Sequence, residues 1–333
     1  MANHGTATPS KGTCAAQLFD ANGADRFVEC VDLAHVKLAD HQLLWVDLLD
    51  PTPEQLDQVW SALQLPQQAK RTVLSTATSP ELRKCGDFFW LRVVAVSGND
   101  SLALQGRVLT LVATRNAVVS IHAEPIAFLD TLREREAEGS DIGGLCAESF
   151  IASLLDWHLA TYFETVADFE MAVERLEVGI LAEHKRDTLP ELRRLRKAAS
   201  RLRRMIAPHR AVFSALSRPD FRPSESDEAN AHFAALDTRY ERAMDMVENT
   251  RDLVVGSFEL FASQLALQTN DAMRRLSFIT VVIGVLAVFA GILGMNFDAP
   301  FFETQAVGFW IAVATMVLIA GGSIALAKRR RWF

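Results

Sequence analysis

Residues 276–297, LSFITVVIGVLAVFAGILGMNF, and residues 304–327, TQAVGFWIAVATMVLIAGGSIALA, decide how this chain is read. Neither run carries a charged side chain. At about 1.5 Å per helical residue, each is long enough to cross a hydrocarbon core of roughly 30 Å. Lipid leaves no backbone polar group solvated, so two such runs in series predict a helical membrane hairpin. The short connection between them contains Asn296, an amide for which a simple anchor has no use. Two helices cannot enclose a water path. A pore built from this hairpin therefore requires several copies of the chain.

The flanks set an orientation. Arg274 and Arg275 precede the first run, and Lys328, Arg329, Arg330 and Arg331 follow the second. The connection holds only Asp298 and Glu303 as charges. The excess of positive charge predicts both ends in the cytoplasm and the short loop outside, in a multi-pass inner (plasma) membrane protein. Trp310 and Trp332 fit an aromatic belt. Ser277, Thr280, Gly284, Gly291 and Asn296 all belong to the first run, which predicts that this helix lines the pore. The second run, softened mainly at Gly321, Gly322 and Ser323, reads as a lipid-facing outer ring.

Upstream, the pattern is that of a cytoplasmic domain. The first 25 residues contain no apolar run of the kind a signal peptide needs. The net charge of −7 over 333 residues offers no basic field for nucleic acid. Cys14, Cys30, Cys85 and Cys146 are widely spaced, without metal-ligand spacing, and read as reduced, small apolar residues. No phosphate loop, nucleophile elbow or HExxH-type histidine pair occurs, so an enzyme is not expected and no cofactor is implied. Apolar and β-branched runs predict strands over 43–48, 87–96, 108–112 and 117–122. Thr52 is a candidate N-cap for a helix entered at Pro53.

Helical periodicity begins at Ser149 and continues to about Glu183, and a second helix is expected from about Pro190 to Leu216. Seven of the twelve residues from Arg193 to Arg204 are basic. The preferred reading is a face salt-bridged to the acidic helix carrying Glu164, Asp168, Glu170, Glu174 and Glu177; the other is an anionic-lipid patch. From about Ala231 to Gly294 no proline occurs. A single helix of some 60 residues, roughly 90 Å long, is predicted, with an apolar stripe narrow enough to pack against copies of itself. The expected divisions are a disordered tail (1–14), an α/β domain with a helical hairpin (15–230), a stalk helix (231–275), a pore-lining span (276–297), an external loop (298–306), a second span (307–327) and a basic tail (328–333).

With these residues in hand, the chain resembles the CorA family of divalent metal ion transporters. Gly294-Met295-Asn296 at the end of the first span is similar to the family's signature. Thr269–Ser277 (TNDAMRRLS), the ending KRRRWF, WVDLLDPTPEQL at 45–56 and LVATRNAVVSIHAEPI at 111–126 add to the likeness. The resemblance implies a funnel-shaped homopentamer: a mixed sheet flanked by helices, a very long stalk and pore helix, and a C-terminal transmembrane hairpin. It implies Gly294, Met295 and Asn296 at the pore mouth, with Asp298 and Glu303 attracting cations outside. Asn270, Met273, Leu276, Ser277, Thr280, Gly284, Ala287 and Gly291 would line or gate the pore, and Lys328 to Arg331 would form a basic ring. The partners are then a divalent cation, membrane lipid and further copies of the chain, with Mg²⁺ (also Co²⁺ or Ni²⁺) as cargo. The sequence departs from the family at Gly284, at the loop DAPFFET, and at Ala235, where a sensing carboxylate is expected and only Asp237 stands nearby. The alternatives are a Zn²⁺ transporter of the ZntB type and a membrane-tethered signalling or structural protein.

Overall fold

The computed structural model describes residues 12–73, 75, 77–86, 88–97, 103–136, 141–182, 188–218, 220–221, 227–295 and 306–329. The chain divides between Ser257 and Phe258 into two compact units. The first is a seven-stranded mixed sheet with helices on both faces. Its strands are β1 (Thr13–Asp20), β2 (Arg26–Val28), β3 (Gln42–Leu49), β4 (Glu81–Cys85), β5 (Phe88–Ser97), β6 (Gln105–Ala113) and β7 (Ala117–His122). They lie in the order β2-β1-β3-β7-β6-β5-β4, with β3 and β7 parallel and the other neighbours antiparallel.

Period-two alternation sends side chains to two cores. Phe89, Leu91, Val93 and Ala95 of β5 enter the larger core. There they pack with α3 (Ala127–Glu136), α4 (Ala147–Leu181), α5 (Thr188–Ile206), α6 (Arg210–Leu216) and the start of α7 (Asp227–Leu293). Phe88 and Trp90 enter the smaller core, under α1 (Pro53–Ala62) and α2 (Gln67–Val73). Each fully buried Leu or Phe in these layers stabilises by roughly 1.5–3 kcal/mol before conformational entropy is counted. The entry to α1 follows the expectation: Thr52 and Gln55 form a reciprocal capping box, with Pro53 in the first turn.

One buried polar network ties β3, β7 and α3 together. Asp47 accepts hydrogen bonds from the Ser120 hydroxyl, from Nε2 of His122 at 3.0 Å, and from Arg133. Trp45 Nε1 donates to Ser120 Oγ at 3.0 Å, and His122 Nδ1 lies 2.7 Å from the Glu124 carbonyl. Burial alone would raise the Asp47 carboxyl; the hydrogen bond and charge of His122, then the charge of Arg133 and the bond from Ser120, hold it below its ordinary value. The same pairing outweighs burial at His122 and raises it; both of its ring nitrogens face acceptors, the Asp47 carboxylate and the Glu124 carbonyl. The serine donates to the aspartate rather than to the histidine, so this is a structural cluster and not a nucleophile awaiting a base.

Several expectations are corrected. The chain is ordered into β1 from Thr13, so strand pairing reaches into the segment read as a tail. Strands β1, β2 and β4 and helices α2 and α3 had no sequence counterpart. Cys14 and Cys30 are joined as a disulfide: β1 and the turn of helix at Cys30–His35 bring their Cα atoms to 6.4 Å, within bridging reach. The helix expected over 190–216 breaks into α5 and α6 around Ala207–His209, where Pro208 cannot donate. Among the described residues no acid–base seam joins α4 to α5. Among the described residues Arg194 pairs with Glu191 and Arg203 with Glu248, while Glu177 accepts from Ser257. Leu192, Leu195, Ala199 and Leu202 turn the apolar face of α5 inward and leave its arginines outside. The stripe of α7 is also divided. Phe233, Leu236, Tyr240, Val247 and Val254 are buried against the chain's own core, whereas Phe258, Leu265 and Leu276 are exposed.

Candidate functional site

The second unit consists of the far part of α7 and of α8 (Ala306–Arg329). Both helices are long and apolar enough to cross a membrane, and their large side chains are exposed: Val281, Ile283, Val288 and Ile292 on α7, Val317 and Leu318 on α8. In water such a surface is costly; in lipid it is at rest.

The two helices pack through one face each. Phe278, Val281, Val282 and Val285 of α7 enclose a cavity of about 190 Å³ with Ile319, Ser323, Leu326 and Ala327 of α8. At 100° per residue, Met273, Ser277, Thr280, Gly284, Ala287 and Gly291 form a stripe centred about 130° round α7 from the middle of that contact, a little over a third of a turn. All six are exposed. Leu276 lies at one margin of this stripe and Asn270 at the other. The stripe holds the small and polar residues of the helix, and the face toward α8 holds branched and aromatic ones. A Cβ added at Gly284 or Gly291 would meet nothing within 4 Å among the described residues. Packing within the chain therefore does not account for these glycines. The Thr280 hydroxyl donates to the Leu276 carbonyl at 2.9 Å, which satisfies its proton and leaves its oxygen free to accept.

The helix closes where the sequence places the tripeptide. Gly294 N–H donates to the Ala290 carbonyl at 2.9 Å and Met295 N–H to the Ile292 carbonyl at 3.3 Å, a tightening of the last turn. A Cβ at Gly294 would sit 3.3 Å from the Ala290 oxygen. Asn296, Asp298 and Glu303 lie outside the described residues. So do Arg330 and Arg331, whereas Lys328 and Arg329 end α8.

In the first unit, Asp237 is half-buried and accepts from the Ser217 hydroxyl at 3.3 Å. Ala235 is exposed on a groove of about 920 Å³ between α4 and α7. Asp156 and Glu164 also line that groove, but Asp156 is held by Arg239 at 2.9 Å. Among the described residues no group of three or more His, Cys, Asp or Glu converges in a way that could hold a metal ion. Sequence reasoning did not find two other features of this unit: the buried rings of His158, Tyr162 and His209, and a cavity beside Arg92. An arginine inside the apolar run of β5 was the available signal for the second.

Residues 40–329 match the profile of a family described as "CorA-like Mg2+ transporter protein". The cobalt/magnesium transport protein CorA of Thermotoga maritima is 27% identical over 69% of this chain and 65% of its own length. The divalent cation transporter CmaX of Pseudomonas aeruginosa is 25% identical over 97% of both chains. Among solved structures, the CorA magnesium transporter of Methanocaldococcus jannaschii superposes with a TM-score of 0.75 at 20% identity, covering 98% of this chain and 100% of that one. Full-length CmaX superposes at 0.70 and 21% over the same shares. These likenesses extend through the sheet, the long helix and the apolar hairpin alike, and the chain belongs to the CorA family.

Proposed function

We propose that this chain is one subunit of a membrane channel for divalent metal cations, with Mg²⁺ as the principal ion. The observation that carries the reading is the stripe Met273, Ser277, Thr280, Gly284, Ala287 and Gly291. It lies about 130° round the helix from the contact with α8, a side chain at Gly284 or Gly291 would meet nothing among the described residues, and it ends at Gly294. Membership of a family of ion transporters, rather than of enzymes, supports the same reading. Several copies, five by the family resemblance, would bring these stripes together around one water-filled path, with α8 outside. Each chain would cross the inner membrane twice, with both termini in the cytoplasm.

Asn296 would stand in a ring at the external mouth. Its carbonyl accepts hydrogen bonds but carries no charge. Mg²⁺ gives up its water reluctantly, so contact through the hydration shell is the low-cost mode of recognition. Asp298 and Glu303, repeated around the ring, would raise the local cation concentration. Met273 and Leu276 would narrow the cytoplasmic end with apolar side chains. What favours a second reading, Zn²⁺ as cargo, is that by the family resemblance Ala235 would stand in the place of a sensing carboxylate, with only Asp237, 3.3 Å from the Ser217 hydroxyl, nearby.

The test is ion flux into proteoliposomes holding the purified chain, with Mg²⁺, Co²⁺, Ni²⁺ and Zn²⁺ offered in turn. Uptake of Mg²⁺ above that of Zn²⁺ is expected. Zn²⁺ uptake alone would select the second reading, and no uptake of any of the four would leave the hairpin as a membrane tether.

A further inference from the structure

Two charged helix faces that do not meet inside the chain match each other. On α5 the seven basic residues from Arg193 to Arg204 are all exposed. Arg194 pairs with Glu191 and Arg203 with Glu248. Among the described residues no carboxylate pairs with Arg193, Arg196, Lys197, Arg201 or Arg204. On α4 Glu164, Asp168, Glu170 and Glu174 are exposed, and among the described residues no cation pairs with them. Arg175, the cation among these acids, is bonded back to the Met171 carbonyl at 3.1 Å. Met171 and Val178 stand in the same face, 49% and 62% exposed. Scattered surface charges are ordinarily left to water. What sets these two faces apart is their registration.

Contacts with α7 fix the level of one face against the other. Arg239 bonds Asp156 at 2.9 Å and lies over the Phe163 ring, while its neighbour Tyr240 reaches the Ile206 carbonyl at 3.3 Å. So α4 near residue 160 is level with α5 near residue 206. At the other end α4 stops at Leu181 and α5 begins at Thr188. The two helices are therefore antiparallel and in step. Glu164, Ala167, Met171 and Glu174 stand about level with Arg204, Ser200, Lys197 and Arg193, in that order. Each foursome is exposed and points outward. At 100° per residue the first lies across α4 from Tyr162, Val166, Phe169 and Val173, and the second across α5 from Leu192, Leu195, Ala199 and Leu202. Acid stands level with base at both ends. Between them small stands level with small, and Lys197 has a stem long enough to cover Met171.

A single copy cannot close these faces on each other. The two helices touch, and each also meets α7, α4 through Glu177 at Ser257 and α5 through Arg203 at Glu248. Three helices packed on one another turn their outer sides in different directions. Neighbouring copies in a ring meet through unlike surfaces, and rotation about an axis parallel to these helices keeps every residue at its level. We infer that the outer face of α5 in one copy seats on the outer face of α4 in the next, Arg204 against Glu164 and Arg193 against Glu174. The inference rests on the proposed assembly of several copies and adds a surface through which they meet. A second copy is the occupant that carries both signs; an anionic lipid surface would suit α5 and be repelled by α4.

The experiment uses the full chain in mild detergent with Cys85→Ser and Cys146→Ser. Met171→Cys with Lys197→Cys is oxidised and run on non-reducing gels, beside native mass measurement of the same sample. The two positions face apart within a chain, so a bridge between them requires a neighbour. A ladder of multiples of the chain is expected from the pair and none from either cysteine alone, because unlike surfaces meet. Ala167→Cys with Ser200→Cys is a second, equally exposed pair. Glu164→Arg should slow the ladder by about two- to fivefold, the weight of one exposed ion pair, and adding Arg204→Glu should restore it. Assembled chains without a ladder from either pair overturn the contact, leave the proposed pore standing and leave the α5 face to lipid. A monomeric native mass overturns both.

Discussion

The backbone N–H of Val94 donates to Nε2 of His209 at 2.8 Å. The Val94 carbonyl accepts from the Tyr162 hydroxyl, also at 2.8 Å. Strand β4 pairs with β5 only as far as Arg92, so β5 is an open edge from there on. Two side chains, from α4 and from the turn before α6, supply what a neighbouring strand would have supplied. The arrangement requires neutral His209: Nε2 must accept, so Nδ1 carries the proton and donates to the Ile206 carbonyl at 3.1 Å.

That requirement sets a pH dependence. Burial pushes His209 down to about 4. Burial, then the charge of His209, pushes His158 well below its ordinary value, and its ring centre is 5.1 Å from that of His209. Both bind protons more readily unfolded than folded. Their stabilisation is complete above about 6.5 and is lost as pH falls from there toward about 4. His209 alone should remove about 2 kcal/mol between pH 7 and pH 5. Thermal unfolding in detergent should show Tm falling over that interval, and a Tm flat from pH 7 to 5 would refute it. His158, with neither nitrogen hydrogen-bonded, predicts more: His158→Leu should unfold no earlier than the wild-type chain and with a shallower pH slope. His122 runs the opposite way, its raised value contributing stability at low pH that disappears as pH rises through it.

The Asp47 network makes a second prediction. Asp47→Ala leaves Arg133 without its buried anion and His122 without its carboxylate partner, and removing one member of a buried ion pair typically costs about 3–5 kcal/mol. Urea unfolding followed by tryptophan fluorescence should show that loss, with Trp45 reporting locally. Asp47→Asn keeps an acceptor and should lose less.

The membrane hairpin and the long helix were plain in the sequence because their signals are one-dimensional: absence of charge over 22 or more residues, and absence of proline from Ala231 to Gly294. The strands β3, β5, β6 and β7 were plain because most of each is buried on both faces and reads as a mainly apolar run. Strand β4, ELRKC, is a half-exposed edge strand with three charged residues, so composition hid it. The pairing of Cys14 with Cys30 follows from β1, which was itself hidden. The arginines of α5 looked as though they should pair with α4 because charges can be counted in a sequence, but which face they occupy is decided by where Leu195 and Leu202 must go. The stripe on α7 was legible as composition. Its direction, about 130° round the helix from the contact with α8, required the hairpin geometry.

The proposed pore predicts opposite sensitivities at Asn296 and Gly284. Asn296→Ala removes the carbonyl proposed to receive the hydrated ion and should abolish uptake while assembly on native gels persists; wild-type flux in an assembled variant would exclude the filter role. Gly284→Phe inserts bulk where the chain itself offers open space. It should fold as the wild type does and block flux. If Gly284→Phe instead disrupts assembly with folding intact, the stripe is an interhelical contact rather than a lumen.

The final prediction concerns regulation by cytoplasmic Mg²⁺. A gate closes on an ion only if that ion binds one state better than the other. Bound Mg²⁺ usually takes one or two carboxylates together with water. Along this stretch of α7, Ala235 offers none, and Asp237 is half-buried, 3.3 Å from a Ser217 hydroxyl whose one proton is shared with the Ser214 carbonyl at 3.2 Å. In the adjoining groove Asp156 is committed to Arg239, with Arg242 close by to repel a cation. Mg²⁺ should therefore protect the stalk from protease weakly, and Asp237→Ala should change that protection little. Limited proteolysis of the full chain in detergent, titrated with Mg²⁺, measures both. Saturable protection in the millimolar range or below, abolished by Asp237→Ala, would show that Asp237 leaves Ser217 to bind the ion and that a sensing site is retained.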